Sequence, residues 1–240
     1  MVAERTGRRF RPSWSLSLLL ACMVLAFLAL GRWQLDRAEQ KAEIQLQFEQ
    51  APRLQRLPES DQARRFSQVE LIGRFDPDRH FFVDNQVSKG LPGVHVLTPF
   101  QLEDSRWILV NRGWLPIAPD RKTLPSAPTD DAIQRISGKL DVLYQPGKRL
   151  GEPDNLARDD WPQLLTYPDL DDIHLALGIP VYPLTLLLDE EHPAGFDGRQ
   201  WRPVNVGATK HRARALLWFT FAAAAIVIWI ILGFRRGKTG

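Results

Sequence analysis

The sequence predicts a membrane α plus all-β protein: two transmembrane helices flanking a mainly antiparallel β sandwich or small open barrel. Three observations lead there. Apolar runs over residues 14–31 and 213–234 each approach the roughly 20 residues that a helix needs to cross a bilayer. The roughly 180 residues between them are polar and mixed in charge, enough for one folded domain. Within that stretch the apolar period becomes two, with Pro- and Gly-rich turns between the runs.

The tail of residues 1–13 carries Arg5, Arg8, Arg9 and Arg11 against Glu4, and the tail of residues 235–240 carries Arg235, Arg236 and Lys238. Short basic flanks stay in the cytoplasm, while long domains cross largely regardless of charge. Both termini are therefore expected inside and residues 32–212 outside. That means the periplasm of a bacterium or the intermembrane space of a mitochondrion. The first tail is too short to hold a transit peptide as well, which favours a multi-pass protein of the bacterial inner membrane. The net charge of +3 comes mostly from these flanks, so it does not point to nucleic acid.

The first apolar run has two rival readings. Ala29-Leu30-Gly31 could end a cleaved signal peptide, but the run exceeds the usual apolar core of roughly 7–15 residues. Leu19-Leu20-Ala21-Cys22 loosely matches a lipoprotein box, but apolar sequence continues from Met23 to Leu30 where a polar tether would begin. Cys22 is the single cysteine, which excludes a disulfide framework, a CxxC redox pair and a thiolate copper clamp. In mid-membrane it reads as a small apolar filler.

After the first span, residues 32–50 contain no Pro or Gly, so the helix is expected to continue as a stalk. Gln34, Arg37 and Lys41 share a face at three-and-four spacing. An interfacial anchor accounts for Trp33 and Arg37, with the ring at headgroup depth and the cation reaching lipid phosphate. It accounts less readily for Gln34.

Strand-like alternation follows in Val69-Leu71-Gly73-Phe75, in Val94 to Leu102, in Trp107 to Arg112, in Leu140-Val142-Tyr144 and in Tyr182 to Leu188. Asp76-Pro77-Asp78, Gly90-Leu91-Pro92-Gly93 and Gln145-Pro146-Gly147 read as turns. A short helix is expected from Asp169 to Leu177, stopped by Gly178 and Pro180. The stretches from Ala118 to Pro128 and from Gly151 to Pro168 read as loops.

Catalytic constellations are sparse. His80, His95, His174 and His192 are scattered, with no HxH, HExxH or paired-Cys spacing. His80 near Asp78 and Asp84 could hold a metal, although a strand-edge histidine is the simpler account. Glu190-Glu191-His192 reads as a solvated loop. No GxSxG, P-loop or dinucleotide fingerprint is present. Catalytic triads need no local motif, so a membrane-tethered periplasmic enzyme stays an alternative without positive support.

Several motifs occur in a suggestive order between the spans. They are Trp33-Gln34-Leu35-x-Arg37-x-x-x-Lys41, Gly73-Arg74-Phe75, Asp84-Asn85 with Gly90-Leu91-Pro92-Gly93, and Leu97-Thr98-Pro99-Phe100. Leu109-Val110-Asn111-Arg112-Gly113-Trp114-Leu115-Pro116 follows, then His211 ahead of the second span, with Ala215 and Trp218-Phe219. In this order they resemble the Surfeit locus protein one family of cytochrome c oxidase assembly factors over nearly the whole chain. The resemblance implies a non-catalytic role in maturing oxidase subunit I, with haem a as cofactor and His211 as the ligand to its iron. Implied partners are subunit I, other assembly factors and membrane lipid. Around His211 the sequence departs from the family pattern. Thr209-Lys210 stands for an Asn pair, Arg214 for a Tyr and Leu217 for a Gln.

The residues themselves are compatible with such a cofactor, a greasy ring with two propionates and an iron that favours imidazole. His211, Ala215, Trp218, Ala222, Ala225 and Trp229 fall on one helical stripe. Arg212, Arg214 and Arg32 could meet propionates at headgroup depth. Ala222 and Ala225 would let a ring, or another helix, approach closely. Arg112 and Trp114 share one face of an alternating strand. They form either a buried stack or, with Asn111, a docking rim for the partner subunit; Trp33, Gln34 and Arg37 are docking candidates on the stalk. A haem-free scaffold for oxidase subunits is the leading alternative function.

Overall fold

The structure, a computed structural model, describes residues 8–10, 12–121, 123–145, 154, 156, 160–203 and 207–236. Arg5, Arg11, Lys238, the turn residues Pro146 and Gly147, and Gly151 with part of its expected loop lie outside them. In chain order the elements are β1 (Arg8–Phe10), α1 (Trp14–Glu49), β2 (Arg53–Leu54), β3 (Gln68–Phe75), β4 (Phe81–Ser88), β5 (Leu91–Leu102) and β6 (Trp107–Pro116). Then come β7 (Gln134–Asp141), β8 (Gln163–Leu165), α2 (Leu170–Leu177), β9 (Thr185–Leu188), α3 (Ala208–Gly233) and β10 (Phe234–Arg236). The chain divides into two compact units, Met1–Gln47 with Pro203–Gly240, and Phe48–Arg202.

In the first unit, α1 and α3 are each long and apolar enough to cross a membrane. Leu18, Leu19, Leu25, Val227, Ile228 and Ile231 are exposed, an apolar surface far beyond what a water-soluble helix pair presents and one suited to lipid. The two helices lie side by side through small residues. Gly31 sits so close to Phe219 that a Cβ there would lie 2.5 Å from the ring, and Ala215, Ala222 and Ala225 are buried. Lipid offers helices no hydrophobic drive to associate, so close backbone approach of this kind is what holds them. Trp229 Nε1 donates to Ser17 Oγ at 3.0 Å. Beyond the spans, β1 and β10 pair antiparallel from Arg8↔Arg236 to Phe10↔Phe234, and the Phe10 ring packs edge-on to Trp229 at 5.2 Å.

The second unit is a β barrel with additions. Its strand order is β2-β3-β7-β9-β6-β5-β4-β8, and a further pairing of β3 with β5 closes β3, β7, β9, β6 and β5 into a ring. Of the two architectures expected, the barrel is realised, and it is closed rather than open. Closure depends on Gly73, which faces Leu102 across the β3–β5 seam. A Cβ at Gly73 would lie 2.0 Å from the Gln101 carbonyl oxygen, so the strands meet only because there is none. Pairing is mainly antiparallel; β2–β3, β4–β8 and β6–β9 are parallel. Val69, Leu71, Phe75, Phe100, Ile108, Val110, Ile136, Leu140 and Leu186 fill the interior. Outside the ring, α2 lays Ile173, Ala176 and Leu177 on Phe81, Val83, Leu97 and Leu109.

The local signals for α2 hold. The Asp169 side chain accepts from the Asp171 amide, and Gly178 turns left-handed at φ 69° to end the helix. Three expectations shift. The strand expected from Leu140 to Tyr144 is β7, which ends at Asp141; Val142 and Tyr144 beyond it are exposed. The turn expected over Gly90 to Gly93 is tighter, because Leu91, Pro92 and Gly93 already belong to β5. The stretch read as a loop up to Pro168 contains β8.

Candidate functional site

Among the described residues, the helical unit pairs two side chains that the sequence placed in different roles. His211 lies on the first turn of α3 and Gln34 lies buried on α1. His211 Nδ1 is 2.8 Å from Gln34 Oε1. An amide oxygen only accepts, so the imidazole donates from Nδ1 and its Nε2 carries the free lone pair. Metal-binding histidines are oriented in this way by an outer hydrogen-bond acceptor. Gln34, a docking candidate on the stalk together with Trp33 and Arg37, is buried and bonded to α3. Its buried neighbours on α1 are Gly31 and Ala38, at spacings of three and four. Trp33 stays at the surface, 52% exposed, and exposed Arg37 donates to Gln40 Oε1 at 3.0 Å.

The rest of the α3 stripe is divided. Ala215, Ala222 and Ala225 are covered by helix packing, so the close approach they permit is used by a helix and not left open to a ring. Trp218 stacks on Phe27 with centroids 5.8 Å apart and planes 26° from parallel. Arg212 and Arg214 are exposed. Arg32 forms an ion pair with Asp36 at 3.1 Å. Imidazole, aromatic wall and flanking cations thus occur together, and as a donor set they suit a tetrapyrrole with acidic arms. No group of three or more His, Cys, Asp or Glu side chains that could hold a bare metal ion occurs among the described residues.

The segment Asn111 to Trp114, read from the sequence as either a buried stack or a docking rim, lies buried in the β unit. Between His95 and Leu97 the β5–β6 register shifts, so that Arg112 and Gly113 together oppose Val96. This is a β-bulge, and Gly113 adopts φ 109° there, a conformation that costs glycine least. Arg112 is 2% exposed. Its guanidinium donates to the Ala194 carbonyl at 2.7 Å, to the Pro128 carbonyl at 2.8 Å and to the hydroxyls of Thr98 and Thr129. It also lies over the rings of Phe75 at 5.1 Å and Phe196 at 4.7 Å. Burial, and then Arg199 nearby, lowers its pKa to about 10. The Phe196 amide donates to the Arg112 carbonyl and the Trp114 amide to the Asp197 carbonyl, while buried Trp114 Nε1 donates to the Gln86 carbonyl at 3.2 Å. Arg112 and Trp114 therefore clamp the 194–199 loop onto the barrel, and neither is available to a partner surface. Nor do they stack on each other.

This motif and the helix-borne histidine fall inside one match: the SURF1 family model covers residues 21–223. The chain belongs to the SURF1 family. Among relatives, a SURF1-like protein of Rickettsia felis is 24% identical, over 87% of this chain and 92% of its own length. One from Rickettsia conorii is 25% identical, over 87% and 86%. One from Caenorhabditis elegans is 28% identical, over 95% and 78%. Two apolar helices flanking a folded unit also suit a membrane protein, and SURF1 membership is consistent with a role in cytochrome oxidase assembly.

Other histidines of this SURF1-family chain are engaged internally. His80 bonds Thr98 Oγ1 through Nδ1 and the Pro77 carbonyl through Nε2, both at 3.1 Å. Burial, then Arg112, lowers its pKa. With both ring nitrogens taken, and Asp84 paired with Arg121 at 2.5 Å, the metal site suggested by the sequence is not formed. His174 and His192 bond the carbonyls of Val181 and Arg135. His95 differs: it lines a cavity of about 680 Å³ together with Asn111 and Trp201. Alternation along β5 already put His95 beside Leu97. That Asn111 meets them could not be read from spacing, because the bulge displaces the register.

Proposed function

We propose that this SURF1-family protein is a bacterial inner-membrane biogenesis factor for cytochrome c oxidase that binds haem a and assists its insertion into subunit I. Its termini would be cytoplasmic and its β unit periplasmic, and it would act without catalysing a reaction. The observation that supports this most is the Gln34–His211 bond, which leaves Nε2 as a lone-pair donor at the edge of the helix pair. Haem a would supply an iron that seeks imidazole and two anionic propionates. His211 would bind the iron, and Gln34 would hold the ring in the ligating tautomer. Arg212 and Arg214 would balance the propionates, and Trp218 with Phe27 would offer an aromatic face. Release to subunit I needs only exchange of a non-covalent ligand for one held better by the acceptor.

The test is the absorption spectrum of the full-length protein purified from cells that make haem a. A Soret band lost in His211→Ala is expected. An unchanged band in that variant would remove His211 as the ligand. A wild-type protein that supports oxidase assembly yet carries no band would favour the haem-free scaffold.

A further inference from the structure

The β unit carries a built cavity of its own, and strand register fixes its floor. Leu187 of β9 pairs with Asn111 of β6, and Asn111 with Leu97 of β5. His95 lies two residues before Leu97 and so on the same side of the strand. Leu143 and Trp201 extend the lining around a volume of about 680 Å³, inside the range of roughly 300–1,000 Å³ typical of small-molecule sites.

Hydrogen bonds then fix the chemistry of that floor. The Gly113 amide donates to Asn111 Oδ1 at 3.1 Å, so the Asn111 amide nitrogen is the end that meets His95. Asn111 Nδ2 lies 3.3 Å from His95 Nδ1. A ring nitrogen that accepts carries no proton, so the neutral imidazole bears its hydrogen on Nε2. That is the opposite tautomer to His211, and it makes His95 a donor and not a metal ligand. Nε2–H has no partner among the described residues. Burial pushes the pKa of His95 down to about 4, so the ring is neutral at physiological pH, and Trp201 packs edge-on to it at 5.7 Å.

Charge around the cavity narrows the class of guest. Two cations line the cavity, Arg65, which is tied to Asp141, and exposed Arg202, while the floor, at His95 and Asn111, offers neutral donors only. A carboxylate drawn down to it would be desolvated without a paired cation, and a plain hydrocarbon would leave Nε2–H unsatisfied. A neutral carbonyl oxygen meets the donor at no such cost. We propose that this cavity binds an apolar small molecule bearing a carbonyl oxygen, which accepts from His95 Nε2–H while its body lies against Leu97, Leu143, Leu187 and Trp201. His211 belongs to the other unit, so this site stands or falls independently of haem binding.

Benzophenone, an apolar ketone that labels nearby C–H bonds under ultraviolet light, is the probe, used on the full-length protein in detergent. Peptides carrying Leu97, Leu143 or Leu187 should be labelled saturably. Fluorenone, equilibrated with the protein in the dark before irradiation, should block this labelling at about tenfold lower concentration than fluorene, its oxygen-free counterpart, as expected for one added hydrogen bond. His95→Phe should erase the difference between the two blockers, and Leu187→Trp, which fills the cavity, should abolish labelling at Leu97 and Leu143. Fluorene and fluorenone blocking wild type equally would overturn carbonyl recognition, even should His95→Phe fail to fold. Undiminished labelling at Leu97 and Leu143 in a folded Leu187→Trp protein would overturn the site itself.

Discussion

Replacing Arg112 by Ala separates a clamp from a docking contact. The guanidinium makes four hydrogen bonds and lies over two rings, with 2% of the residue exposed. At about 1.5 kcal/mol for each bond to a charged group, and about 1 kcal/mol for each ring contact, the gross stabilisation is about 8 kcal/mol. Burial of the charge offsets part of it. The fall of its pKa from that of a free guanidinium to about 10 corresponds to about 3.5 kcal/mol at about 1.4 kcal/mol per pH unit. The net loss is then about 4.5 kcal/mol, at the upper end for single substitutions and typical of a broken buried network. For a domain of this size each kcal/mol moves the midpoint by about 2–4 °C, so Arg112→Ala should melt about 10–20 °C below wild type. The assay is a thermal melt of the full-length protein in detergent followed by near-UV circular dichroism, with exposed Trp33→Ala as the unshifted control. A melt within about 3 °C of wild type, combined with lost oxidase assembly, would refute the clamp and restore docking.

Other substitutions test other joints. Gln34→Leu keeps the size of the side chain but removes the acceptor for His211 Nδ1; haem affinity measured by Soret titration should fall about 10–100-fold, and an unchanged affinity would show that Gln34 does not orient the ring. Gly31→Leu should push α1 from α3, since a Cβ there already meets the Phe219 ring at 2.5 Å. Disulfide yield between cysteines placed at Phe27 and Trp218, with Cys22→Ser, would drop if so and stay constant otherwise. His95 makes stability depend on pH. Its folded pKa of about 4 lies below the unfolded value of 6.5, so its contribution is complete above about pH 6.5 and is lost as pH falls through about 4, by about 3 kcal/mol in all. Urea midpoints should rise across this window in wild type and rise less in His95→Gln.

Much of the fold could be read from local pattern. The two spans announce themselves by length, and α2 by Asp169 at its start and Gly178 at its end. Strands with one buried face, such as β3, show their alternation directly. β4 does not, because Phe81, Phe82, Val83 and Asp84 are all buried and leave no period to detect. Closure of the barrel rests on a glycine meeting a strand far along the chain, which no window of sequence contains. The same distance hides the site. Gln34 and His211 are 177 residues apart, so each reads from its own surroundings alone, one as a docking residue and one as a cofactor ligand. Arg112 is ambiguous for another reason: Asn, Arg and Trp in one strand have the composition of an interface and equally of an internal clamp, and only burial tells them apart.

The two ends of the helix pair are fastened by unequal means. At one end three backbone-paired positions, β1 with β10, join the flanks of α1 and α3, with Trp229–Ser17 just above. Near the other, among the described residues, the polar tie is Gln34 to His211. Such a pair works like tweezers with a sprung heel and light tips. Spreading the tips breaks one side-chain bond, whereas parting the heel would strip a backbone ladder of three paired positions. Under the proposed function, a haem bound by His211 would enter and leave at the tips, and the imidazole would serve as both latch and handle.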